Sequence, residues 1–213
     1  MKGNVQRAQR WSVLLTVLFN LGIARAQLVA NFDDIQFWVG EGANRAAVVI
    51  DWNDGKEPES LVWGYRWDGS ATGLSLLQAV TAADPRFGGV TLTDWGWGWT
   101  VDGLGYDLDG DGFDLADEDD HYKPGWNPAT WEYWAYFTYD GSSNPWTPSQ
   151  DWTYSMVGMA DRPLSDGSWD GWRYSNTDAS PRQGVAAIPE PASVLLLAAG
   201  SAVAWIARRR NRG

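Results

Sequence analysis

Ala46-Ala47-Val48-Val49-Ile50-Asp51-Trp52 is a short apolar run that stops at Asn53-Asp54-Gly55. β-Branched residues in so brief a run, ended by a strong turn signal, predict a buried strand. Ser60-Leu61-Val62-Trp63-Gly64-Tyr65-Arg66-Trp67 follows as a second strand, closed by Asp68-Gly69. Residues 91–100, the strongly aromatic 131–139, 152–160 and 168–174 read as further strands, with the last closing the sheet. Residues 72–83 form the one convincing internal helix. Leu74, Leu77, Gln78 and Thr81 lie at helical spacing, with Leu76 and Val80 on an adjoining stripe. Thr72 fits an N-cap and Asp84-Pro85 a stop. The expected fold class is mainly β (α+β): a single antiparallel-sheet domain with one packed helix.

Composition narrows the setting. The chain has no cysteine, so disulfides, thiol nucleophiles and Cys-based metal sites are excluded. All 27 acidic residues lie between Asp33 and Glu190, and only 8 of the 16 basic residues accompany them, a net of −19 for that stretch. Such a surface repels nucleic acid and anionic lipid, so no nucleic-acid partner is expected. Fourteen of the 16 tryptophans fall between Trp38 and Trp172. Each indole can bury roughly 200 Å², so a cysteine-free β domain can use them as core filler; stacking on a flat ligand is the other use. Trp95, Trp97 and Trp99, alternating with Gly96 and Gly98, would share one face of a strand, either as a core face packed beneath the helix over 72–83 or as a ligand platform.

Both ends carry addressing features. Lys2, Arg7 and Arg10 precede an apolar stretch over 11–23, and Ala24-Arg25-Ala26 fits a small-x-small cleavage site before Gln27. Residues 1–26 therefore read as a signal peptide for the Sec translocon. At the other end, Pro189-Glu190-Pro191 leads into residues 192–207, which hold no charge, and then into Arg208-Arg209-Arg210-Asn211-Arg212. These 16 residues make about 24 Å of helix, slightly short of a ~30 Å hydrocarbon core, and the arginines can snorkel. The basic cluster predicts a cytoplasmic tail. The expected organisation is a signal peptide over 1–26, a β-rich ectodomain over 27–175, a polar tether over 176–187 and a sorting segment over 188–213 with a transmembrane helix at 192–207.

Proline-glutamate-proline, an apolar helix and an arginine cluster in that order resemble the PEP-CTERM sorting signal of Gram-negative bacteria. The resemblance covers residues 188–213. It implies recognition of Pro189, Glu190 and Pro191 by a membrane-embedded exosortase, with Arg208, Arg209 and Arg210 as the stop. It implies anchoring in the inner membrane first, then cleavage and transfer to the cell surface or the medium, in company with exopolysaccharide production. A second resemblance spans about 110 residues. Trp63-Gly64-Tyr65-Arg66-Trp67-Asp68-Gly69, the helix over 72–83 and Asp166-Gly167-Ser168-Trp169-Asp170-Gly171-Trp172-Arg173-Tyr174 are similar in arrangement to the α+β domain at the C-terminus of transcobalamin-like proteins. That resemblance implies corrinoid or other tetrapyrrole contact through Trp95, Trp97, Trp99 and His121.

Asp107-Leu108-Asp109-Gly110-Asp111-Gly112-Phe113-Asp114-Leu115-Ala116-Asp117-Glu118 matches the twelve-position calcium loop. Ca²⁺ takes six to eight hard oxygens. Asp107, Asp109 and Asp111 would give carboxylates, Phe113 its carbonyl, and Glu118 a bidentate carboxylate, with Gly112 at the sharp turn. The loop looks like an EF-hand or dockerin loop, but Gly103, Gly105, Pro124 and Gly125 deny it flanking helices. The expectation is a structural Ca²⁺ clip. Asp119 and Asp120 add charge without an assigned role. His121 is the one histidine and reads as a surface residue, and no nucleophile or phosphate-binding motif appears. The expected function is that of a non-catalytic, exosortase-sorted surface or matrix protein. The alternative is a ligand-binding module for a glycan, such as extracellular polysaccharide, or for a tetrapyrrole; a glycan-active enzyme ranks third.

Overall fold

The computed structural model describes residues 27–141, 143–147 and 151–189. A 3-10 turn, Phe32–Asp34, precedes β1 (Trp38–Gly40), β2 (Asn44–Asp51), β3 (Ser60–Trp67), α1 (Gly73–Ala83), β4 (Phe87–Asp94) and β5 (Trp99–Tyr106). There follow β6 (His121–Pro124), β7 (Trp126–Asn127), β8 (Glu132–Asp140), β9 (Thr153–Tyr154), β10 (Ser168–Ser175) and β11 (Val185–Ala186). The larger sheet runs β1-β3-β2-β10-β8-β7, with β11 also on β3 and β9 also on β8; the smaller is β4-β5-β6. Among the described residues the fold is mainly β with one α-helix, as expected.

Its pairing is richer than one antiparallel sheet. β2–β10, β1–β3 and β11–β3 are parallel. The reason is legible in β2. Ala46, Val48 and Ile50 enter one core while Ala47 and Val49 enter another. A strand apolar on both faces belongs in the middle of a covered sheet, where parallel pairing is found. β10 is likewise central rather than a closing edge. It lies between β2 and β8, with Trp169 in one core and Trp172 and Tyr174 in the other.

The first core fills the space between the large sheet, α1 and the small sheet, around Trp52, Trp63, Leu76, Leu77, Leu104 and Tyr106. The second packs the segment around Phe32 and Ile35 against Val49, Val62 and Trp169. The helix begins in a capping box: Ser75 N–H donates to Thr72 Oγ1, and Thr72 N–H donates to Ser75 Oγ. Its buried stripe is Leu76, Leu77 and Val80, whereas Gln78 is exposed. The apolar side chains of both sequence stripes decide the docking face, because burying the Gln78 amide would need a partner. At the stop, the buried Asp84 carboxylate accepts from Trp63 Nε1 at 2.9 Å, Tyr106 Oη at 3.0 Å and Arg86 N–H at 3.1 Å.

Three segments differ from expectation. Residues 91–100 are a hairpin rather than one strand: Trp95 N–H donates to Gly98 O, and Gly96 takes φ +78°, a conformation glycine alone adopts freely. Of residues 152–160, Thr153–Tyr154 is strand and the rest is not. Residues 176–187 are not a free tether. Arg182 donates through its backbone N–H (2.9 Å) and Nη2 (2.5 Å) to the buried Asp51, and β11 pairs with Leu61 and Val62. Residues 176–179 are exposed, and it is Arg182 and β11 that tie the segment to the sheet.

Candidate functional site

Two sites arise from the small sheet and its loops. The first is a cleft of about 790 Å³ where the small sheet meets the β8 end of the large one. Gly125 is the corner between them. It joins β6 to β7, donates its N–H to Asp102 O at 2.8 Å, and a Cβ there would meet Asp102 Cα at 2.7 Å. The close approach fixes β5 beside β7 and opens the cleft between their side chains. Trp97, Trp99 and Asp102 come from β5 and its turn, Trp126 from β7, Tyr133, Trp134 and Tyr136 from β8, Tyr154 from β9 and Trp172 from β10.

The platform imagined for Trp95, Trp97 and Trp99 is therefore divided. Trp97, at the hairpin tip, is 78% exposed and stands at the lip, while Trp99 packs partly against the first core. Trp95 does not line the cleft. Its Nε1 donates to Thr100 Oγ1 (2.9 Å), and that hydroxyl donates to Asp102 Oδ1 (2.8 Å). The hairpin, not a single strand face, separates the three indoles. The residues that sequence reasoning missed are Trp126, Tyr133 and Tyr154, because no periodic pattern links β7, β8 and β9 to β5. Tyr133 and Tyr154 are joined through their hydroxyls at 3.3 Å, and that hydrogen bond, with burial and the Tyr133 charge adding to it, pushes the Tyr154 phenol up to about 12.

His121 does not reach the cleft and is not a surface residue. It is 0% exposed and stacked on Trp52 at 4.5 Å. Its Nδ1 meets Asp54 Oδ2 at 2.9 Å and its Nε2 meets Pro58 O at 3.0 Å. Both ring nitrogens are engaged in these contacts, and neither is left for a ligand. Burial pushes the Asp54 carboxyl up, but the hydrogen bond and charge of His121 outweigh it and hold the group below its ordinary value.

The second site is the acidic loop between β5 and β6. The ladder ends at the pair Tyr106–His121, which sets Asp107 and Asp120 opposite each other just beyond it. Both are buried, at 3% and 2% exposure. Asp107, Asp109 and Asp120 bring carboxylate oxygens within 4.8 Å of one another. Asp107 accepts from the N–H groups of Gly110 (2.6 Å) and Gly112 (3.0 Å), and Asp120 from those of Leu108 (3.3 Å) and Asp114 (2.7 Å). Asp111 is exposed beside Asp109, whose charge raises its carboxyl. Phe113 turns its ring onto Gly88, Gly105 and Tyr122. Glu118 is exposed and outside the grouping. Of the expected ligand set, Asp107 and Asp109 come together and Asp120 joins them where Glu118 was expected. The signal for Asp120 lay in the strand after it, since the register that pairs His121 with Tyr106 also faces Asp120 to Asp107.

Beyond β11, residues 187–211 match the PEP-CTERM protein-sorting motif. The chain carries an exosortase sorting signal. The PEP-CTERM segment thus begins at Ala187, the buried residue that donates its N–H to Val62 O at the end of the fold. Of the motif, Pro189 is described and exposed. Glu190, Pro191, the apolar stretch over 192–207 and Arg208, Arg209 and Arg210 lie outside the described residues, as do the signal segment and its Ala24 and Ala26. Gln27, the expected first residue after cleavage, is exposed. Among the described residues no helix is long and apolar enough to cross a membrane. No curated protein and no solved structure matches the chain.

Proposed function

We propose that the PEP-CTERM chain delivers a non-catalytic, calcium-clipped β domain to the cell surface or the extracellular matrix. The motif itself marks an exported protein processed by exosortase and sorted in a Gram-negative bacterium. The observation that carries the proposal is the junction. Among the described residues, the last strand, the last buried residue and the first residue of the sorting motif fall within Val185–Ala187, so the signal is set directly on the folded cargo. Its test is fractionation of a Gram-negative host with and without exosortase. The protein should reach the surface or medium in the first host and stay in the inner-membrane fraction in the second. Equal distribution in both would refute the delivery route.

Asp107, Asp109, Asp111 and Asp120 are the residues that would hold Ca²⁺, together with carbonyls of the loop. Two buried carboxylates facing each other at a hairpin end repel. Backbone N–H groups offset part of that repulsion, and each carboxylate keeps lone pairs for a hard cation. Calcium would supply charge neutralisation there, locking the β5–β6 loop. A second reading, a ligand-binding module, is favoured by the aromatic cleft.

A further inference from the structure

We infer that the cleft between β5, β7 and β9 binds a neutral oligosaccharide. The inference rests on the ligand-binding reading and names its ligand class. Its walls are aromatic, and Trp97 and Trp126 are exposed at the lips, with Tyr154 at the rim. Flat π faces suit the C–H faces of a pyranose ring, an apolar surface that carries hydroxyls at its edges. The volume of about 790 Å³ lies in the range of small-ligand sites and leaves room for more than one ring.

The polar groups fit hydroxyls. Asp102 is held in place by the relay from Trp95 Nε1 through Thr100 Oγ1, and its carboxylate can accept from a sugar O–H. Trp134 is nearly buried in the wall, and its indole N–H has no partner among the described residues. That N–H is shut off from solvent inside the wall, which leaves Asp102 and the Tyr133 and Tyr154 phenols to meet sugar hydroxyls.

Charge separates the candidates. The described residues lining the cleft include no Lys, Arg or His, and the stretch around it is strongly acidic. Uronic-acid chains or haem propionates would enter an opposing field with no cation to meet them. A tetrapyrrole metal would also want an imidazole, and both nitrogens of His121 are engaged elsewhere.

The test is Trp fluorescence of the full chain in an amine-oxide detergent, which carries no sugar headgroup. The titrants are neutral trisaccharides (α- and β-linked glucose, and N-acetylglucosamine), a uronic-acid trisaccharide, and haem. Expected is saturable quenching by at least one neutral trisaccharide, weakened about tenfold in Trp97→Ala and in Tyr154→Ala and reduced in Asp102→Asn, with unchanged melting in Trp97→Ala. No response to the acidic sugar is expected. Saturable, Trp97-dependent binding of haem or the uronic trisaccharide alone would overturn the neutral class while leaving a binding module. No Trp97-dependent binding of any titrant at millimolar concentration would overturn both, and neither result touches the sorting proposal.

Discussion

Asp170 shows how much one side chain can decide. It is buried on β10, accepts from Tyr136 Oη at 2.5 Å and lies 3.5 Å from Arg162 Nε. Burial pushes its carboxyl up to about 6, more than the Tyr136 and Arg162 contacts pull it down. A folded value above the ordinary 3.8 means the native state holds this proton more tightly than the unfolded chain. The stability it contributes is therefore fully present below about pH 3.8 and lost as pH rises through about 6. Wild type minus Asp170→Asn, compared by melting from pH 4 to 7, should show that decline; a flat difference would contradict it. Asp54 runs the other way. Its lowered carboxyl favours folding above about pH 3.8, and that part is lost as the pH falls below it. Asp84→Ala should cost about 2 to 4 kcal/mol, because it orphans Trp63 Nε1 and Tyr106 Oη inside the first core; denaturant unfolding measures it. None of these roles could be read from residue type alone, since each carboxylate acts through donors brought in from distant strands.

At the level of elements, β2, β3, β8, β10 and α1 were legible because each carries its own signal. Those signals were a buried apolar run, aromatic alternation, or a cap followed by a stripe. Thr72→Ala should remove the helix cap and lower stability by about 1 kcal/mol; a shift below a few tenths would mean that Ser75 alone holds the helix start. The hairpin at Gly96 was misread as one strand because Trp-Gly alternation mimics strand periodicity, while the turn depends on one glycine's φ. β6, β7, β9 and β11 are two to four residues long, too short to carry a period, and exist because longer neighbours supply their ladders. The acidic loop was visible as a motif, yet its carboxylate grouping follows strand register rather than loop numbering. Scanning calorimetry with calcium and with chelator should therefore show a drop of several degrees on chelation. Asp120→Ala should abolish that drop as fully as Asp107→Ala, and Glu118→Ala should leave most of it. Equal melting with and without chelator would remove the clip.

For the whole molecule, sequence order and spatial order diverge in one instructive place. Residues 176–187 look like a spacer but complete the sheet, through Arg182 on Asp51 and β11 on β3. Asp51→Ala removes the buried acceptor of the Arg182 N–H and guanidinium, which should cost about 1 to 3 kcal/mol and loosen the segment that leads into the sorting motif. The tail tells the destination, and the folded region, with its two cores and open aromatic cleft, is what arrives there. The most direct measurement is the intact mass of the protein recovered from the surface or medium of an exosortase-competent host, set against that from a host lacking exosortase. The account predicts a product starting near Gln27 and shortened near Pro189 in the first, and a chain retaining residues 192–213 in the second. The same tail-bearing mass from both hosts would contradict it.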